Sequence, residues 1–104
     1  MRKNTSKQLN RNGSPTASVH VEYTDPTAAT VCVAGTFNDW RPEVTSMVRM
    51  GEGRWLKELI LASGVYEYRL VVDGEWMPDP RASETAPNPF GEVNSVLKVN
   101  RCAS

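Results

Sequence analysis

The residue types most often recruited for catalysis are present in this 104-residue chain but badly placed for it. The one histidine, His20, sits in an alternating stretch near the N-terminal end, and no Gly-x-Ser-x-Gly elbow accompanies it. Cys32 and Cys102 lack metal-ligand spacing, and Cys32 falls in an apolar run where a thiol behaves as a small hydrophobe. The carboxylates Asp39, Asp73 and Asp79 lie beside Asn, Gly and Pro. Turn chemistry accounts for those positions without an acid–base pair. No Gly-rich phosphate loop occurs. The expectation is a chain that is not an enzyme, with no catalytic residue, no metal and no cofactor.

The aromatic residues carry more information. Tyr66 and Tyr68 alternate in phase with Leu70 and Val72, which reads as core packing, and Trp55 opens a strand whose inward face can hold it. Trp40 and Trp76 differ. Each stands beside a turn, in Phe37-Asn38-Asp39-Trp40 and in Asp73-Gly74-Glu75-Trp76. An exposed indole offers a flat apolar face with a polar edge, and a pyranose ring offers an apolar C–H face rimmed by hydroxyls. The two can stack while amide, guanidinium or carboxylate groups meet the hydroxyls. Taken alone, two tryptophans of this kind serve as core as often as platform.

The elements that must position these residues are strands. Val19, Val21 and Tyr23 alternate with His20, Glu22 and Thr24, and Asp25-Pro26 ends the run. Thr30–Ala34 is β-branched and apolar, closed by Gly35. A short strand fits Ser46–Met50, a longer one runs from Trp55 to Leu61, and another spans Val65–Val72. On that last strand Val65, Glu67, Arg69 and Val71 point away from the Tyr66 face. Asp73-Gly74 predicts a tight hairpin into Glu75-Trp76-Met77, and the final strand is placed at Ser95–Val99. Between Met77 and Asn94 stand Pro78, Pro80, Pro87 and Pro89, which exclude an interior strand and predict a long loop. Short strands, regular turn signals and no long amphipathic helix predict an all-β, single-domain antiparallel β-sandwich.

Charge and length bound the rest. Twelve Lys and Arg balance twelve Asp and Glu, so no overall field draws in nucleic acid or an anionic membrane. Residues 1–12 hold Arg2, Lys3, Lys7 and Arg11 without an acid, and Gly13-Ser14-Pro15 follows. The expected organisation is a disordered basic tail over 1–17, a domain over 18–100 and a short tail over 101–104. Basic residues with no apolar stretch after them are not a secretory signal, and the cytoplasm is the expected compartment. A chain of this size has little room for both a core and a deep catalytic cleft, which favours a binding module.

The stretch Val33-Ala34-Gly35-Thr36-Phe37-Asn38-Asp39-Trp40 resembles the "GxFNxW" segment of carbohydrate-binding module family 48, the glycogen- and starch-binding type. Gly64–Trp76 is similar to that family's "GxYxYxFxVDGxW", Asp79-Pro80 to the "DP" that follows, and Val93–Val99 to its closing strand. The resemblance implies an immunoglobulin-like β-sandwich that binds linear α-1,4-glucan. It implies that Trp40 and Trp76 stack on glucose rings, and that Arg69 stands where a lysine usually meets sugar hydroxyls. Phe90 matches an aliphatic side chain that inserts against the glucan, Glu92 replaces a sugar-bonding threonine, and Asn94 matches a sugar-contacting asparagine. Arginine for lysine keeps charge and changes donor geometry. Glu92 can accept sugar hydroxyls or face water.

The reading that follows is a non-catalytic module holding glycogen, starch or a maltooligosaccharide in a shallow groove. Trp40 and Trp76 would supply most of the affinity, and Arg69, Asn94, Glu92 and Lys57 the polar contacts. The alternative is a docking domain for a glucan-processing enzyme or a kinase complex, with no sugar binding of its own.

Overall fold

Alternation along the central strand shows how this chain sorts its side chains. A computed structural model describes residues 16–100. Strand β5 (Gly64–Val72) buries Tyr68 and Leu70 while Val65 stays exposed on the other face. Two neighbours share one edge of β5. β8 (Val93–Val99) pairs with Gly64–Tyr68, and β6 (Glu75–Met77) pairs with Leu70–Val72. β2 (Val31–Gly35) takes the opposite edge, and β7 (Glu84–Pro87) extends the sheet beyond β8. Arg69 therefore stands at the junction where β8 stops and β6 starts.

The second sheet has the order β1 (Thr16–Thr24), β4 (Arg54–Ala62), β3 (Val48–Gly51). Every pairing in both sheets is antiparallel. Val21, Tyr23, Trp55 and Leu59 from this sheet and Val31, Val33, Tyr68, Leu70 and Val72 from the other form one core. The expected all-β sandwich is the observed architecture. A single 3-10 turn, Pro42–Val44, is the one helical piece among the described residues.

Three expectations shift. β1 starts at Thr16, two residues ahead of the boundary placed at Ser18. The short third strand begins at Val48, with Ser46 forming only an isolated bridge to Cys32. The proline-rich segment is not all loop, because it contains β7. An edge strand needs hydrogen bonds on one side alone, which leaves Pro87 acceptable at its end. The expected tail lies, over residues 1–15, outside the described residues, as do 101–104 with Cys102.

The tyrosine face also carries polar structure. Tyr68 donates from its hydroxyl to Asp79 Oδ2 at 2.5 Å, and the Asp79 amide donates to Ser95 Oγ at 2.7 Å. All three residues are buried, so these bonds satisfy groups that would otherwise be costly to enclose. Burial, then the Asp79 hydrogen bond and charge, push the Tyr68 hydroxyl well above the usual tyrosine range.

Candidate functional site

Three loops converge on the outer face of the five-stranded sheet, and each is shaped by a short polar side chain. After β2 the backbone turns sharply at Gly35. A Cβ there would meet Glu67 O at 2.6 Å, so only glycine lets the chains approach so closely. The Asn38 carboxamide then ties the turn together. Its Oδ1 accepts from the Gly35 amide at 3.0 Å, and its Nδ2 donates to Val33 O and Thr45 Oγ1, both at 2.9 Å. Asp39 and Trp40 follow with φ of 58° and 59°. A left-handed tryptophan is rare, and it is tolerated where surrounding bonds overdetermine it.

Asp73 organises the second loop. With φ of 50° at Asp73 and 87° at Gly74, the β5–β6 hairpin turns in the left-handed region that Asp-Gly favours. Asp73 Oδ1 accepts from the amides of Ala29 and Thr30, both at 2.8 Å, which pins the hairpin to the β1–β2 connection. Trp76 is then held 43% exposed on β6.

The third loop joins β7 to β8. Asn88 Oδ1 accepts from the Phe90 amide at 2.9 Å and the Glu92 amide at 3.1 Å. The Asn88 amide donates to Glu92 O at 2.9 Å. Phe90 is thereby raised on a fixed tip, 87% exposed.

Trp40, Arg69, Trp76, Asn88, Pro89, Phe90 and Asn94 line one open groove of about 480 Å³. Aromatic walls enclose a polar floor. Arg69 Nη1 donates to Glu92 Oε1 at 2.6 Å, while Arg69 Nε is buried without a hydrogen-bond partner. Asn94 is buried, donates from Nδ2 to Glu67 Oε1 at 2.9 Å, and accepts from Asn88 Nδ2 at 3.2 Å. Such a groove can stack apolar ring faces and exchange hydrogen bonds with hydroxyls.

Five of the residues singled out from the sequence, Trp40, Arg69, Trp76, Phe90 and Asn94, line this groove together. Glu92 joins it through Arg69 rather than as a wall. Lys57 is not brought there. It lies on β4 opposite Val21, in the other sheet, because β4 pairs with β1 and β3 rather than with the strands that carry the groove. Asn88 and Pro89 were not singled out, although Asn-Pro is a turn-opening dipeptide and marked the spot. Asn38 and Glu67 also act here, and only the folded contacts show how.

The catalytic-type residues stay scattered. His20 is exposed on β1, and Cys32 Sγ lies 3.8 Å from Ser46 Oγ. Among the described residues no group of three or more His, Cys, Asp and Glu side chains could hold a metal ion. Nor is any helix among them long and apolar enough to cross a membrane.

A β-sandwich with an aromatic-walled, open groove on one sheet face defines the class of β-sandwich carbohydrate-binding modules. Within that class the chain belongs to the family described as the glycogen recognition site of AMP-activated protein kinase, whose model matches residues 17–104. It is 30% identical over 81 residues to an amyloplastic phosphoglucan phosphatase of Castanea sativa, covering 78% of this chain and 22% of that protein. It is 32% identical over 82 residues to the chloroplastic protein FLOURY ENDOSPERM 6 of Oryza sativa subsp. japonica, covering 79% and 15%. Against the AMP-activated protein kinase subunit beta-2 of Mus musculus it is 25% identical, covering 68% and 25%. The chain thus spans 15% to 25% of the length of these relatives. A maltogenic amylase from S. marinus shares the fold with a TM-score of 0.72 and 20% identity, over 97% of this chain and 16% of that one.

Proposed function

We propose that this chain is a non-catalytic module that holds an α-1,4-glucan, such as a segment of glycogen or starch or a maltooligosaccharide, across the groove. The observation that carries the reading is the convergence of Trp40, Trp76 and Phe90 around Arg69 and Asn94. The indoles stack on the apolar faces of glucose units, and Phe90 packs between units as the chain curves past it. The Arg69 donors and the Asn94 amide meet hydroxyls at the floor. An open groove encloses little of a short sugar, so affinity for an oligosaccharide is modest and rises on a polymer through repeated engagement.

The test is titration with maltoheptaose followed by tryptophan fluorescence. A saturable change, lost in Trp40→Ala and in Trp76→Ala while both remain folded, supports the groove as the site. A flat response in the folded wild type up to millimolar sugar would sink it.

A second reading concerns the other sheet. Val48, Met50 and Ile60 are exposed there. That sheet is the candidate surface for a glucan-processing enzyme or a kinase, with glucan held on the opposite side. Retardation in glycogen-containing native gels that persists in a Val48→Asp, Ile60→Asp variant separates the two functions.

A further inference from the structure

Arg69 is the one cation among the residues lining the groove, and it already has an anion. Its side chain is only 11% exposed, and the 2.6 Å contact from Nη1 to Glu92 Oε1 is a short, charge-assisted hydrogen bond. A second carboxylate, Glu67, stands behind the floor and holds Asn94 at 2.9 Å. Arg69 is also the group through which a groove of this kind would attract a phosphate, since guanidinium matches phosphate oxygens well. Here Nη1 is already engaged by a carboxylate, and Glu92, itself 59% exposed, presents its remaining charge to anything approaching.

We infer that Glu92 makes this groove selective for neutral glucan and sets it against glucan bearing phosphate monoesters. This deepens the proposed function and rests on it. A phosphoryl group entering near Arg69 must displace Glu92, which breaks the ion pair, or lie beside it, which brings like charges together in a partly desolvated setting. A neutral sugar meets no such opposition. It can take the free Arg69 donors and the outer lone pairs of Glu92 while leaving the ion pair in place.

The experiment compares maltoheptaose with maltoheptaose carrying one 6-phosphate ester, by calorimetry, for wild type and Glu92→Gln. Glutamine keeps an acceptor for Arg69 and removes the charge, and position 92 is exposed enough for the variant to fold. The expected result is wild-type preference for the neutral sugar on the order of tenfold at low ionic strength. That ratio narrows as salt is added, because an exposed charge is screened. It collapses in Glu92→Gln whatever happens to absolute affinity. Equal or tighter wild-type binding of the phosphate ester overturns the inference and leaves the groove reading standing. A preference that survives Glu92→Gln removes Glu92 as its source. Failure of maltoheptaose itself to bind overturns the groove reading and this inference with it.

Discussion

The Asn38 carboxamide fastens the turn that carries Trp40, bonding at 3.0 Å or closer to Gly35 N, Val33 O and Thr45 Oγ1 while Trp40 two residues on keeps φ at 59°. The Trp40 amide completes the turn by donating to Gly35 O at 2.9 Å. Indole orientation thus depends on a side chain that does not line the groove. Asn38→Ala is expected to cost about 1–3 kcal/mol, because it strips partners from part-buried polar groups. It should also weaken glucan binding through disorder of Trp40. Urea unfolding and a maltoheptaose titration on one preparation check both effects.

The left-handed backbone at Trp40 allows a cleaner comparison. Trp40→Gly and Trp40→Ala both remove the stacking surface, so both should lose sugar binding. Glycine accepts positive φ without strain and alanine does not. Trp40→Gly should therefore be the more stable of the two by about 0.5–1 kcal/mol, despite glycine's greater freedom when unfolded. The reverse order in thermal or urea unfolding would mean that the turn relaxes when the indole is gone.

Phe90 is the opposite case, a side chain with almost no folded-state role. At 87% exposure its removal leaves the core untouched. Phe90→Ala should shift stability by no more than about 0.5 kcal/mol. Binding of maltoheptaose should nonetheless weaken severalfold. A variant that binds as wild type would remove Phe90 from the site. Lys57→Ala provides the control from the other sheet, with glucan affinity expected to remain unchanged.

How much of this was legible in the sequence varies by element. Strand β5 and its hairpin were readable because alternation, Asp-Gly and the resemblance to a known motif agreed. Trp40, Trp76, Arg69 and Asn94 were legible through motif positions, and their meeting in one groove followed from the fold those motifs implied. Strand β7 was hidden because its pairing with β8 runs along one edge only, where Pro87 carries no penalty. The place of Lys57 apart from the groove was not legible, because alternation tells which face a residue takes on its strand, not which sheet the strand joins. Asn38 and Asn88 bond chiefly to backbone two to five residues away, local turn chemistry that the sequence marks as a turn without showing which side chain the turn presents. The Arg69–Glu92 pair joins residues 23 positions apart and has no sequence signature.

The buried hydrogen bond from Tyr68 to Asp79 ties the stability of the fold to alkaline pH. Burial is the main reason that the Tyr68 hydroxyl holds its proton more tightly than an unfolded tyrosine, and the hydrogen bond to Asp79 and its charge add to this. Tyr23 shifts in the same direction, by burial first and then by Asp25. The native state therefore binds more protons than the unfolded chain once pH passes about 10, the unfolded tyrosine value. By linkage, the stability held by this shift is fully present below about pH 10 and is lost as pH rises above it. Tyr68→Phe should flatten that alkaline decline, leaving the part that Tyr23 supplies. At neutral pH the same variant should be less stable than wild type by about 1–3 kcal/mol, because Asp79 loses its phenol partner inside the sandwich. Stability curves for both proteins between pH 7 and about 11 would then converge at the alkaline end. Parallel curves across that range would show that Tyr68 ionises no differently in the folded and unfolded chains.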